Sequence, residues 1–147
     1  MSSEVLKILD EYPVKGAFVR IEALLQYVSP LQAWHELDSP ITKEEVFAAI
    51  ENGTAQLDET PIYLTASSCP DPKAARQSHI NKIAYFVLNK AVQPLDIELG
   101  ELDSLYISDG NHRLCGAIIR GDSVIYSEFG GFLDSEILEF IIQKDNC

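Results

Sequence analysis

Positive charge is scarce in this 147-residue chain. Eleven lysines and arginines stand against twenty-three aspartates and glutamates, a formal net charge of −12. A protein that grips nucleic acid through many phosphates wants a basic surface, so this balance argues against extensive DNA or RNA binding. It leaves room for a local pocket that takes one small phosphate ligand. It also suits an acidic face that meets a basic protein partner. Cysteine is scarce as well. Cys69, Cys115 and Cys147 form no C-x-x-C pair, and an odd number is a poor disulfide framework. That predicts a reducing, cytoplasmic setting. No segment approaches the roughly 18 apolar residues that span a bilayer. Met1-Ser2-Ser3-Glu4 lacks the basic start and apolar stretch of a signal peptide. The expectation is a soluble intracellular protein with no membrane partner. Internal repeats and low-complexity tracts are missing, as are a Walker loop, a G-x-S-x-G elbow and a Rossmann fingerprint. His35, His79 and His112 show no metal-ligand spacing, so no protein-held metal is expected.

What is present reads as an ordinary globular chain, 46% hydrophobic and 23% charged. Its length fits one domain with a real core. Ser2 or Ser3 can cap a short helix carrying Val5, Leu6, Ile8 and Leu9, stopped before Pro13. Residues 17–23 alternate, Val19 and Ile21 against Arg20 and Glu22, which predicts a strand; Ala23-Leu24-Leu25 equally suits a helix start. Residues 28–40 read as irregular or a short helix, with Trp34 a core plug and His35 a surface residue. Thr42-Lys43-Glu44-Glu45 is a capping box ahead of Val46, Phe47, Ala49 and Ile50, and Asn52-Gly53 supplies a left-handed stop. A strand is expected at 61–65 and a loop at 67–73, where Pro70 and Pro72 break regular structure. Ile80, Ile83, Ala84, Val87 and Leu88 repeat with helical spacing over 74–89. A strand at 92–99 turns Leu95, Ile97 and Leu99 inward. After a turn at Gly121-Asp122 comes a strand at 123–129, broken by Gly130-Gly131, and Asp134 can cap a last helix carrying Ile137, Leu138, Phe140 and Ile141.

Between these lies the stretch richest in chemistry. Leu105 to Ile107 has strand character, Asp109-Gly110 signals a turn, and apolar residues recur with helical spacing from Leu114. A strand that turns tightly into a helix aims unpaired N–H groups and the positive end of the dipole outward, which suits an anion. Gly110 permits close approach to the backbone, and Asn111 brings a polar side chain to the same point. Arg113 offers forked donors for phosphate. His112 can donate to a phosphoryl oxygen or move a proton near neutral pH. Asp109 can orient His112, act as a base, or meet a magnesium ion carried by a nucleotide. One turn apart on the preceding helix, Arg76 and His79 can face the same anion. A purely structural role makes a different demand: Asp109 or Asn111 caps the helix, and Arg113 and His112 are buried in ion pairs. Gly116 either admits a neighbouring element close to Arg113 or serves helix–sheet packing. Cys115, among apolar neighbours, reads as an inert buried thiol.

The run Ile107-Ser108-Asp109-Gly110-Asn111-His112-Arg113-Leu114, with a helix before it and the strand Gln93-Pro94-Leu95-Asp96-Ile97 between, resembles the ParB/sulfiredoxin superfamily over about residues 76–129. Families there carry a short strand–G-x-[H/R]-R–helix box. The resemblance implies a single α/β domain, 1–147, with a small mixed sheet; 1–60 forms an N-terminal elaboration and 61–147 the core. It further implies a nucleotide cofactor or substrate with Mg2+, phosphate contacts from Gly110, His112 and Arg113, and nucleotide hydrolysis, phosphoryl transfer or phosphodiester cleavage. Sulfiredoxins place their catalytic cysteine where this chain has Asn111, which sets their reaction aside. No helix-turn-helix domain or dimerising tail follows, which sets aside a full chromosome-partition role. The expected function is therefore nucleotide-phosphate binding, with His112 and Asp109 as catalytic candidates. The alternative is a small acidic module that binds a protein.

Overall fold

The alternation of Leu95, Ile97 and Leu99 with Asp96 and Glu98 makes a strand with one fully buried face. The computed structural model, which describes residues 16–35, 37–57, 72–133 and 135–142, pairs it into a four-stranded sheet. The strands are β1 (Gly16–Arg20), β2 (Leu95–Leu99), β3 (Leu105–Asp109) and β4 (Val124–Gly131), in the order β1-β4-β2-β3. β2 and β4 run parallel; β1 on β4 and β3 on β2 are antiparallel. Around the sheet are α1 (Ile21–Leu24), a 3-10 turn (Pro30–Gln32), α2 (Lys43–Glu51), α3 (Pro72–Leu88), α4 (Asn111–Arg120) and α5 (Glu136–Ile141). The fold is mixed α/β, as the order of elements predicts. No described helix is long and apolar enough to cross a membrane.

The core has two parts that meet at α4. Leu114 and Ala117 join Val19, Leu24, Ile97 and Ile141 on the inner face of the sheet. Cys115 and Ile119, on the other side of the same helix, join Ile41, Val46, Ile80 and Ile83 from α2, α3 and the segment before α2. A ten-residue helix with two buried sides is thereby fixed between sheet and helices. That rigidity passes to its first turn.

Several local expectations hold. Thr42 accepts from the Glu45 N–H and the Glu45 carboxylate accepts from the Thr42 N–H, so the capping box is complete. Gly53 and Gly121 take left-handed conformations just past their helices. Others shift for physical reasons. The strand expected to run through residue 23 stops at Arg20, because the Ile21 N–H closes onto the Ser123 carbonyl and the chain turns into α1. β2 starts at Leu95 rather than residue 92, since Pro94 has no N–H for the ladder. α3 starts at Pro72, where a missing N–H costs nothing. Its stripe fades towards the end, and Leu88 is exposed. Gly130 and Gly131 do not break β4 but finish it opposite Glu98 and Leu99. At Gly131, φ is +82° and a Cβ would meet the Leu99 carbonyl oxygen at 2.1 Å, so only glycine fits there. Ser135 caps α5 through the Ile137 N–H. The expected helix at 5–9, the strand at 61–65 and the cap at Asp134 lie outside the described residues.

Candidate functional site

Gly110 makes the strand-to-helix turn. Its φ of 98° and ψ of 17° are left-handed, and as the residue before α4 it offers no side chain to the first helical N–H groups. Neither Asp109 nor Asn111 caps the helix. Asn111 instead donates from Nδ2 to the Pro30 carbonyl at 2.9 Å, tying the 3-10 turn to the start of α4.

That tie helps build a cleft of about 680 Å³. Its floor is β3 and the turn after it, from Leu105 to His112, and its opposite wall is the chain from Tyr27 to Trp34. β3 ends the sheet, so among the described residues its outer edge pairs with no strand. The Gly100 N–H to Ser104 carbonyl bond sets the alternation of the β2–β3 ladder. By that alternation, Leu105 and Ile107 turn their backbone N–H and C=O away from β2 and towards the cleft.

At the helix end of the cleft three rings lie together. His79 Nδ1 and His112 Nε2 are 2.9 Å apart, a hydrogen bond in which one nitrogen must carry the proton and the other accept it. Trp34 stacks on both imidazoles, with centroid distances of 4.1 Å to His79 and 4.4 Å to His112. The imidazole centroids are 5.1 Å apart, so both rings lie on one face of the indole, edge to edge. Burial, then the neighbouring His79, then Lys82, push the His112 pKa down to about 3. His112 is therefore the ring of the pair that resists carrying charge.

Arg113 does not join them. It is buried, and its guanidinium donates to the Pro94 carbonyl at 3.0 Å, to Gln93 Oε1 at 3.4 Å and to Asp109 Oδ2 at 3.2 Å. Arg76 is turned away as well. It forks onto Glu45 at 2.8 and 2.6 Å and donates to the carbonyls of Ser39 and Pro40. Among the described residues no lysine or arginine lines the cleft. Of the residues expected at the anion, the structure brings Gly110, Asn111, His112 and His79 together, while Arg76 and Arg113 are committed to the scaffold. Arg113 meets the demand of a structural role, buried and ion-paired. His112 does not, for its partner is another histidine.

Asp109 turns its carboxylate to Arg113, so His79 and not Asp109 orients His112. Among the described residues no group of three or more His, Cys, Asp or Glu side chains could hold a metal. Gly116 admits α3 closely: a Cβ there would stand 2.8 Å from the Phe86 Cβ and 2.9 Å from its carbonyl carbon. Cys115 is fully buried, and burial raises its thiol pKa, which fits an inert sulfur.

Sequence reasoning missed Trp34. It is half-buried, packing against the helical part of the core as expected while also lining the cleft. A lone tryptophan between two prolines carried no periodicity that would connect it to His79 and His112. No protein-family model, curated protein or solved structure matches this chain.

Proposed function

We propose that the cleft between β3 and residues 27–34 binds a small phosphorylated ligand, a nucleotide first among them, at the N-terminus of α4. The observation that carries this reading is the opening of the cleft onto an uncapped helix start, Gly110–Asn111–His112, with aromatic walls beside it. A volume of about 680 Å³ lies within the range of small-ligand sites. The resemblance of residues 76–129 to ParB-like proteins supports the same turn as a phosphate cradle, with any Mg2+ arriving on the ligand's phosphates.

The reading differs from the family pattern in one respect. The anion is held by backbone N–H groups and His112, while Arg113 braces the turn from behind. Among the described residues the cleft is lined by no lysine or arginine, which ranks binding ahead of phosphoryl transfer, because charge neutralisation supplies most of that catalysis. Cysteine usage favours a cytoplasmic setting. The test is a thermal-shift panel of CTP, ATP, GTP and ADP with magnesium, followed by a hydrolysis assay on whichever stabilises. A rise in melting temperature with one or more of them is expected; a flat panel overturns the reading.

The outer edge of β3, paired with no strand among the described residues, favours a second reading, a protein-binding module. The outward backbone groups of Leu105 and Ile107 can accept an extended segment as a further strand, and the acidic chain would select a basic one. A flat nucleotide panel together with saturable binding of a basic extended peptide would move the assignment there.

A further inference from the structure

Two arginines of α4 clamp the chain that leads from α3 into β2. Arg120 donates from Nη1 to the carbonyls of Phe86 and Val87, at 2.6 and 3.4 Å, in the last turn of α3. Arg113 donates to the Pro94 carbonyl and to Gln93 Oε1, just ahead of β2. Lys90, Ala91 and Val92 lie between the two clamps and form one wall of a cavity of about 310 Å³. Its floor is the side of α4 that carries Arg113, Ala117 and Arg120 at i, i+4 and i+7, where the small Ala117 leaves space between the two long side chains. The opposite wall includes Val124 with Phe18 and Tyr126, which are paired across β1 and β4. Their rings meet edge to face, with centroids 5.3 Å apart. Among the described residues this cavity shares no lining residue with the cleft beside β3.

We propose that this cavity is a second binding site, for a small organic acid with one carboxylate and a flat aromatic body. It stands independently of the nucleotide reading.

Charge selects the head group. Lys90, Arg113 and Arg120 line the cavity against one carboxylate, Asp122, in a chain whose acids outnumber its bases twofold. Asp122 is spent on Arg120, whose Nε donates to both of its oxygens. Arg113 has two neutral acceptors and the exposed Asp109, whose charge water screens, so its own charge is felt in the cavity. Lys90 is exposed and adds to the field around Asp122, and among the described residues its ammonium makes no hydrogen bond or ion pair. One ammonium with unspent donors matches one carboxylate. A phosphate dianion wants more donors than Lys90 supplies, because the arginine forks are turned to protein acceptors, and Asp122 repels its second charge.

Size and apolar lining select the body. A volume of about 310 Å³ lies at the lower end of small-ligand sites, which suits one ring or two fused rings. Phe18 and Tyr126 remain 51% and 43% exposed although they pair with each other. A flat ring laid against them covers aromatic surface that the fold leaves in water. The clamps at both ends set the Lys90 wall before a ligand arrives, so binding orders little that was free.

The probe is 2-naphthoate, titrated into the intact chain by calorimetry at neutral pH, with 2-naphthamide as its neutral counterpart. Saturable binding of the acid is expected, and the amide should bind about tenfold more weakly. Lys90→Met keeps the stem and removes the charge. It should weaken the acid about tenfold, leave the amide unchanged and leave the melting temperature in place. Tyr126→Ala should weaken acid and amide alike. Equal affinity for the acid in wild type and Lys90→Met overturns the proposal, as does no binding of 2-naphthoate at millimolar concentration. An amide bound as tightly as the acid overturns the role of charge. Acetate or sulfate bound as tightly as 2-naphthoate overturns the aromatic body and leaves a site for simple anions.

Discussion

The Arg113 guanidinium lies against the Cα of Gly110, so close that a Cβ on Gly110 would meet Nη2 at 2.8 Å and Cζ at 3.0 Å. The bare turn residue and the buried arginine are one device: the glycine makes the turn and leaves room for the side chain that locks it. Gly110→Ala therefore imposes a left-handed alanine and a clash at once. It should cost about 2 kcal/mol, read as a lower urea midpoint with an unchanged slope.

Arg113→Ala should lose a comparable amount, about 2 kcal/mol, since the Pro94 carbonyl and Gln93 lose their donor while exposed Asp109 returns to water. Anion affinity of the folded protein should be retained. Loss of affinity at full stability would instead place the guanidinium on the ligand.

The Glu45–Arg76 fork should give an acid-sensitive stability term. The hydrogen bond from Arg76 is the main cause that holds the Glu45 pKa down at about 2, against a smaller opposing effect of burial. The folded value lies below the unfolded one, so the contribution is complete above about pH 4.5 and fades as pH falls towards 2. Glu45→Gln keeps the capping box and removes the ion pair. It should destabilise by about 1 kcal/mol near neutral pH, a figure discounted for partial exposure, and by much less near pH 3. Equal midpoint differences at both values would contradict the assignment.

Gly116→Ala sets a methyl group against the α3 backbone at Phe86, where nothing can swing aside. Overpacking of about 2 kcal/mol is expected, measured by thermal or urea unfolding. A neutral substitution would show that α3 and α4 can separate without cost.

How much of this was legible beforehand depends on the range over which each decision is made. The capping box at Thr42 and Glu45, the alternation of Leu95, Ile97 and Leu99, and the Asp109-Gly110 turn are settled by neighbours, and each was readable. The direction of Arg113 is settled by Gln93 and Pro94, some twenty residues upstream, and its residue type alone suggested a ligand contact. The same holds for Arg76, which answers to Glu45 thirty-one residues away. Trp34, His79 and His112 come from three separate segments, and no local pattern in any of them points to the other two. Residue type singled out the turn as a candidate; long-range partners decided which side chains face the cleft beside it.

The sheet order imposes a timetable on the nascent chain. Among the described residues β1 finds its partners only in β4, where Gly16 stands opposite Glu128, and at Ile142, which bridges to Val19. On a ribosome the strand made early must wait, its apolar face uncovered, until more than a hundred further residues have been synthesised. Such distant closure is slow, and a strand held waiting is exposed to other chains. Chaperone occupancy during translation should therefore centre on this early segment and end when β4 emerges from the exit tunnel.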